Sequence, residues 1–410
     1  MDYQFHTLSN GIRLVHRHSG RLAGHLAVMI NTGSRDELTG EEGLAHFIEH
    51  VIFKGTSTRK VHQVLGRLEN IGADLNAYTT KEETCIHASF VYTHYARAME
   101  LFSDILFNST FPEKEIEKEK DVVIDEINAY KDSPAELIFD EFEEMLFKGH
   151  PLGRSILGSP TAVRKISRKR ILDFISRHYN TDQIVISSVG NIRFSQLIRL
   201  AEKWFGNRTP NPRTDKRTPF QGAEASRITA RRRNFQTHCI IGNHAFGYTD
   251  EKRTALALLS NLLGGPAMNS RLSMALRERN GLSYNIESVY TPYAETGSFM
   301  IYLGTDNGSL DKALSLVYKE LDRFRLKKLG TLQMHTAKQQ FTGQIAISFE
   351  SNLNDALSMA KSVLVYDTVD THEVLIAKIN AITPEMIMEV ASAIFNSDAL
   401  SMLVYKNRKS

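Results

Sequence analysis

The string His46-Phe47-Ile48-Glu49-His50, set inside the apolar run from Leu44 to Phe53, constrains this chain more than any other stretch. Wound as a helix, it puts His46 and His50 four residues apart on one face, with Glu49 about 60° round the axis from His46. Two imidazoles and a carboxylate then share one small space. A single histidine on an apolar helix face is usually a satisfied core residue. The chain has 15 histidines in 410 residues, and three fixed positions in this order arise by chance in on the order of one such chain in thirty. Burying these groups without a partner is costly, and a metal removes the cost. Neutral imidazole is a good zinc ligand, and a carboxylate beside the metal can take a proton from zinc-bound water. That is the minimum kit of a metallohydrolase, lacking only a third protein ligand.

Composition narrows the alternatives. At 410 residues the chain exceeds one ordinary core, which points to two or more domains. Hydrophobic residues at 42% and charged residues at 24% are those of a soluble globular protein. A net charge of +3, with no basic arm, argues against nucleic acid or an anionic membrane as partner. The start Met1-Asp2-Tyr3-Gln4-Phe5-His6 has no charged and apolar leader, and no apolar run reaches transmembrane length, so a cytoplasmic location is expected. Cys85 and Cys239 stand far apart and read as buried apolar residues.

Along the chain, Arg13–His16 and Leu26–Ile30 read as strands, followed by the metal helix between about Gly40 and Gly55. Val61–Ile71 reads as a helix, and Leu75–Thr80 with Thr84–Val91 as an antiparallel pair. Helices follow over Tyr95–Phe107 and about Glu113–Tyr130. In the latter, Glu119 and Glu126 lie seven residues apart on one stripe, with Val122 and Val123 alongside, so the stripe is expected to face a core. A carboxylate there needs a partner, and the metal centre is the candidate. Spacing alone does not choose between the two. A helix to about Lys148, another over Ser167–His178 and a strand over Ile184–Val189 complete the first half. Residues 208–219 carry three of the ten prolines and no large apolar residue, which reads as a linker.

The second half repeats this grammar. A strand over His238–Gly242 leads to helices over Lys252–Leu263 and Ser270–Arg279, then β-rich runs, helices over Leu310–Phe324 and Leu332–Phe349, and a closing strand over Ala399–Tyr405. Two similar α+β halves suggest duplication. The domains expected are 1–208, carrying the metal, a linker at 209–226, and 227–410 without metal, because the second half has no H-x-x-E-H. No G-x-S-x-G, P-loop or G-x-G-x-x-G occurs, which weakens serine hydrolase, nucleotide hydrolase and dinucleotide readings. On spacing alone, Arg277 is a surface residue and Tyr284, beyond the Asn280-Gly281 stop, a core residue. Alternatively, a guanidinium and a phenol stabilise an oxyanion.

H-x-x-E-H is the inverzincin arrangement. The stretch Gly43–Thr56, together with Leu75-Asn76-Ala77-Tyr78-Thr79, Glu119 to Glu126 and Leu276 to Tyr284, closely resembles the pitrilysin, insulin-degrading enzyme and mitochondrial processing peptidase family across both halves. The resemblance implies two homologous sandwich domains, each an antiparallel-rich sheet covered by helices, forming half of a clamshell chamber. It implies one zinc per chain held by His46, His50 and Glu126, with Glu49 as general base and Glu119 as a supporting acidic residue. It further implies that Arg277 and Tyr284 reach the substrate, and that Asn76 and Ala77 lie on the strand against which a peptide is laid. Pitrilysin-like members hold four such units in one chain and processing peptidase subunits hold two, as here, so a closed chamber needs a second chain. The expectation is a zinc endopeptidase acting on extended peptides as a homodimer. The alternatives are a heterodimer with a noncatalytic relative, and a noncatalytic assembly subunit of the same fold.

Overall fold

Runs rich in β-branched and aliphatic residues fold into two sheets. The computed structural model describes residues 3–407. The first sheet contains β1 (Tyr3–Thr7), β2 (Arg13–His18), β3 (Ala23–Ile30), β4 (Asp74–Thr79), β5 (Thr84–Val91) and β6 (Ile184–Gly190), in the order β1-β2-β6-β3-β5-β4. The second contains β7 (Arg227–Arg232), β8 (Thr237–Ala245), β9 (Ser283–Pro292), β10 (Gly297–Thr305) and β11 (Ser401–Asn407), in the order β7-β11-β8-β10-β9. In each sheet one pair is parallel, β2 with β6 and β7 with β11, and every other neighbouring pair is antiparallel. With β1 set aside, the second sheet repeats the first strand for strand, in the same order and directions. The duplication expected from the sequence is thus visible in the topology.

Strand period sorts the side chains into two layers on each sheet. From β3, Leu26, Val28 and Ile30 join a core with the helices α1 (Leu44–Val51), α2 (Val61–Glu69), α3 (Tyr95–Asn108) and α4 (Glu113–Lys131). The alternate residues Ala27 and Met29 face the other way, with Val15, Cys85, Val185 and Val189. That second face is covered by Ala356, Met359, Ala360 and Val363 of the helix Asn352–Tyr366, from the far end of the chain. The second sheet mirrors this device. One face packs Cys239, Ile241, Ile301 and Leu303 against its own helices. The other packs Ile240, Met300, Tyr302 and Leu403 against Ile138, Phe142 and Leu146 of α5 (Pro134–Leu146), which comes from the first half.

The compact units are therefore interleaved in the chain. One holds residues up to Asn128, Arg154–Arg217 and Ile347–Thr371; the other holds Ala129–Gly153, Thr218–Ala346 and the chain from His372 onward. The break at Arg217 and Thr218 falls inside the linker expected at 209–226, while two helices cross over. Up to Arg217 the proline-rich segment is anchored rather than free: Arg213 and Arg217 donate to the buried Asp36 carboxylate at 2.6 and 2.7 Å. The segment expected as an α-helix over Ser270–Arg279 is wound as a π-helix over Ser273–Glu278. Both cysteines are free and buried, and burial pushes each thiol up to about 12. Among the described residues no helix is long and apolar enough to cross a membrane.

Two sheets that each borrow a covering helix do not survive separation. Residues 1–217 expressed alone leave Val15, Ala27, Met29, Val185 and Val189 without the helix Asn352–Tyr366. This fragment is expected to bind a hydrophobic dye and melt without cooperativity, and co-expression with residues 218–410 is expected to restore a cooperative thermal transition, as followed by circular dichroism.

Candidate metal centre

The site is built on α1, whose apolar residues Leu44, Ala45, Phe47, Ile48 and Val51 are all buried in the first core. That packing fixes the rotation of the helix and turns His46, Glu49 and His50 together. The helix is shorter than the sequence reading because Gly43 sits at φ 88 and ψ 2, in the left-handed region. A Cβ there would lie 2.6 Å from the Leu157 carbonyl oxygen, so only glycine fits. Helix α4 lies in the same core through Ile116, Val123, Ile124 and Ile127. The expected stripe faces inward at Glu119 and Val123, which are buried, whereas Val122 points to solvent and Glu126 is half-exposed at the mouth of the site.

The two histidines and Glu126 converge. His46 Nε2 lies 3.8 Å from Glu126 Oε1, and His50 Nε2 lies 3.4 Å from Glu126 Oε2. The ligand atoms all fall within 4.8 Å of one another. Tetrahedral zinc with bonds of about 2.0–2.2 Å needs neighbouring donors roughly 3.3–3.6 Å apart, so modest side-chain rotation satisfies it. The donor set of two imidazoles and a carboxylate also suits zinc chemically.

Glu119 takes a different place. Its Oε1 is 3.0 Å from His50 Nδ1 and its Oε2 is 2.8 Å from Lys54 Nζ. A proton on Nδ1 donated to Glu119 leaves the Nε2 lone pair of His50 facing Glu126, the outer-shell arrangement that orients a metal-bound histidine. The structure thus separates two carboxylates that spacing left equivalent. Lys54, which holds Glu119, carried no signal in the sequence beyond a helix-end basic residue.

Electrostatics agree with a cation site. Burial lowers His46 to about 4, helped by His50, so it stays neutral as a ligand must. Burial would lower His50 too, but the hydrogen bond to Glu119 and the charges of Glu126, Glu119 and Glu49 outweigh it and raise its pKa. Burial pushes the Glu49 carboxyl up, against the Thr79 hydroxyl and His50, and Glu126 adds to the rise. Glu49 Oε2 is buried without a hydrogen-bond partner. A carboxylate with an idle oxygen and a raised pKa is chemically a proton acceptor.

The other expected residues fall as follows. Asn76 and Ala77 lie on β4, which has one free edge in the first sheet and packs beside α1. The Asn76 Oδ1 accepts the Ala77 N–H at 2.9 Å. Arg277 and Tyr284 belong to the second unit. Arg277 is the penultimate residue of the π-helix and donates from Nε to Glu278 at 2.8 Å. Gly281, at φ 59, turns the chain into β9, where Tyr284 is 76% exposed and not a core residue. It lines a cleft of about 540 Å³ with Tyr130, Glu136, Phe139 and Tyr302.

Comparison with known proteins gives a consistent result. Residues 14–160 match the family model described as insulinase, peptidase family M16, and residues 165–341 match that of the peptidase M16 inactive domain. The uncharacterized zinc protease YmxG of Bacillus subtilis is 31% identical over 97% of both chains. An uncharacterized zinc protease of Rickettsia bellii is 30% identical, covering 93% of this chain and 92% of its own. Among solved structures, a peptidase M16 inactive domain from Pseudomonas fluorescens superposes with a TM-score of 0.91 at 20% identity, over 99% of this chain and 98% of that one. A protease from Helicobacter pylori gives 0.90 at 19% identity over 99% of both. At such identities these two structures show a shared fold and nothing more.

Three outcomes are expected at this site. In metal-free protein, histidine titration followed by NMR should show His46 neutral until about pH 4, and His50 protonated above its ordinary value. His16, buried and also held to about 4, behaves like His46. The unfolded chain takes up protons on these two imidazoles from about pH 6.5 downward, while the folded chain does not until about pH 4. Through His16 and His46, metal-free stability should therefore fall as pH drops through that window, with the raised His50 acting in the opposite direction, as read by urea unfolding of wild type and of a variant lacking His16. Glu119→Gln should keep the fold and weaken zinc binding by about 10–100-fold, as measured by chelator competition.

Proposed function

Because the chain belongs to the insulinase family, peptidase family M16, a family of zinc proteases, we propose that it is a zinc-dependent endopeptidase that hydrolyses extended, unstructured peptides. The observation that carries this reading is the complete set of groups at one point: His46, His50 and Glu126 with their ligand atoms within 4.8 Å, and Glu49 on the same turn with an unpartnered oxygen. The noncatalytic reading would gain from the loss of any one of these, and all are in place.

Zinc held by the three ligands supplies a Lewis acid that polarises a carbonyl and makes water acidic enough to react near neutral pH. Glu49 accepts one proton of the attacking water on its free oxygen and delivers it to the departing amine as the C–N bond breaks, so water is added across the peptide bond with no net change in Glu49. Glu119 orients His50 and Lys54 holds Glu119, which keeps the ligand set fixed during turnover. The outer edge of β4 at Asn76 and Ala77 offers main-chain hydrogen bonds to an extended peptide once Asn76 Oδ1 releases the Ala77 N–H, favouring unfolded segments over folded proteins. Arg277 and Tyr284 bring a guanidinium and a phenol suited to a developing oxyanion. We read the working assembly as a cytoplasmic homodimer with one zinc per chain. Pairing with a noncatalytic relative is the alternative, and sedimentation of the purified chain distinguishes the two.

The test uses a library of quenched-fluorescent unstructured peptides with wild type and Glu49→Gln, and zinc content measured on both. Wild type is expected to cleave. Glu49→Gln is expected to keep its zinc and to lose turnover by about 10²–10⁴-fold or more, the usual contribution of a general base. Equal cleavage by both would reject Glu49 as the base, and a fully zinc-loaded wild type that cleaves nothing would favour the noncatalytic reading.

A further inference from the structure

We propose that Glu37 is a positioning residue of the metal centre. It holds the first turn of α1 and thereby aims His46, the ligand whose Nδ1 has no hydrogen-bond partner. The proposal rests on the reading of His46, His50 and Glu126 as zinc ligands.

The two histidines are supported differently. His50 is oriented through Nδ1 by Glu119. His46 Nδ1 is buried without a hydrogen-bond partner, so the direction of its ring depends on where the helix backbone sits. That backbone is exposed to error at its start. The helix has only eight residues, begins after a glycine, and has no side-chain cap at Gly43. Without a cap, the first-turn N–H groups are unsatisfied and the turn frays.

Glu37 provides the missing cap from six residues upstream. Its Oε2 accepts the Gly43 N–H at 3.1 Å and its Oε1 accepts the Ala45 N–H at 2.8 Å, the residue immediately before His46. A negative group at this end also meets the positive pole of the helix. Burial pushes the Glu37 carboxyl upward, opposed by the Ala45 and Gly43 amides and by Arg154. An N–H faces each oxygen, and charge on the carboxyl strengthens both hydrogen bonds.

The cap itself is held from several sides. Glu37 is 3% exposed. Arg154 donates to its main-chain carbonyl at 2.6 Å. The preceding Arg35 pairs with buried Glu82 in the β4–β5 turn at 2.5 Å. Asp36 takes Arg213 and Arg217. Within this one unit the same three-residue turn therefore ties the start of the metal helix to the hairpin whose edge strand is β4. The Glu37 carboxylate bonds the first turn, beside His46, while His50 has its own support from Glu119.

The experiment compares full-length wild type with Glu37→Gln and Glu37→Asp, and uses His46→Ala as the reference for a lost ligand. Zinc affinity is read by competition with a chelator, hydrogen exchange on the peptide spanning residues 43–47, folding by the melt of metal-free protein, and turnover as kcat and KM. Glu37→Gln places an amide N–H₂ against one backbone donor. It is expected to fold, to accelerate exchange in this peptide, and to bind zinc about 10–100-fold more weakly, with kcat lowered and KM unchanged. Glu37→Asp keeps the charge but is one methylene shorter, and should fall between Gln and wild type. Wild-type zinc affinity in Glu37→Gln, or failure of both variants to fold, overturns the proposal. Wild-type zinc affinity in His46→Ala overturns the ligand assignment, and the proposal with it. If zinc binding shifts as expected but even wild type cleaves no peptide, the peptidase reading fails and the positioning role stands.

Discussion

The packing of one face of α1 into the first core is the interaction on which the site depends. Leu44, Phe47, Ile48 and Val51 are each fully buried, and such side chains contribute about 1.5–3 kcal/mol apiece. That burial forces two imidazoles and a carboxylate into a half-dry space on the neighbouring face. None of these groups would gather there unaided, since an unpaired buried polar group costs about 1–3 kcal/mol and a charge more. The pKa directions show the strain: His46 is driven toward neutrality, His50 toward protonation, and Glu49 away from ionisation. A divalent cation held here would reconcile all three, because it needs a neutral imidazole, would take the place of a proton on His50, and would offset the negative charge of the neighbouring carboxylates.

Duplication followed by divergence explains the rest of the chain. The two sheets share strand order and direction, yet the helix between β8 and β9, Arg253–Gly264, has neither histidine nor glutamate where the first unit carries its metal helix. The second unit has the same strand order without the His-x-x-Glu-His set. Exchange of α5 and the helix Asn352–Tyr366 closes the apolar back face of each sheet with sequence from the other half. The two units must therefore fold in concert, although each has its own core.

Much of this was legible in the sequence, for reasons that can be named. The metal helix was readable because ligation demands a fixed spacing on a helix. The strands were readable because β3, β6 and β8 each contain a run of β-branched or aliphatic residues, such as Leu26–Ile30 in β3. The ligand choice was not, since Glu119 and Glu126 share a stripe and only their height along α4 decides which meets Nδ1 of His50 and which meets Nε2. The start of α1 was not, because the left-handed Gly43 is imposed by Leu157, more than a hundred residues away. The helix Asn352–Tyr366 has a regular apolar stripe at Ala356, Met359, Ala360 and Val363, a periodic signal present in the sequence. That it covers the first sheet rather than the second could not be inferred from periodicity. Glu37 carries no signal in the sequence, because a cap reaching across six residues has no local motif.

The central claim is that one zinc is held by His46, His50 and Glu126. X-ray absorption at the zinc edge of the purified full-length protein tests it most directly. The expected result is one zinc per chain with a shell of light atoms that includes two imidazoles, at about 2.0–2.2 Å, and loss of one imidazole signal in His46→Ala. A sulfur-containing shell, an all-oxygen shell, or a spectrum unchanged by His46→Ala would contradict it.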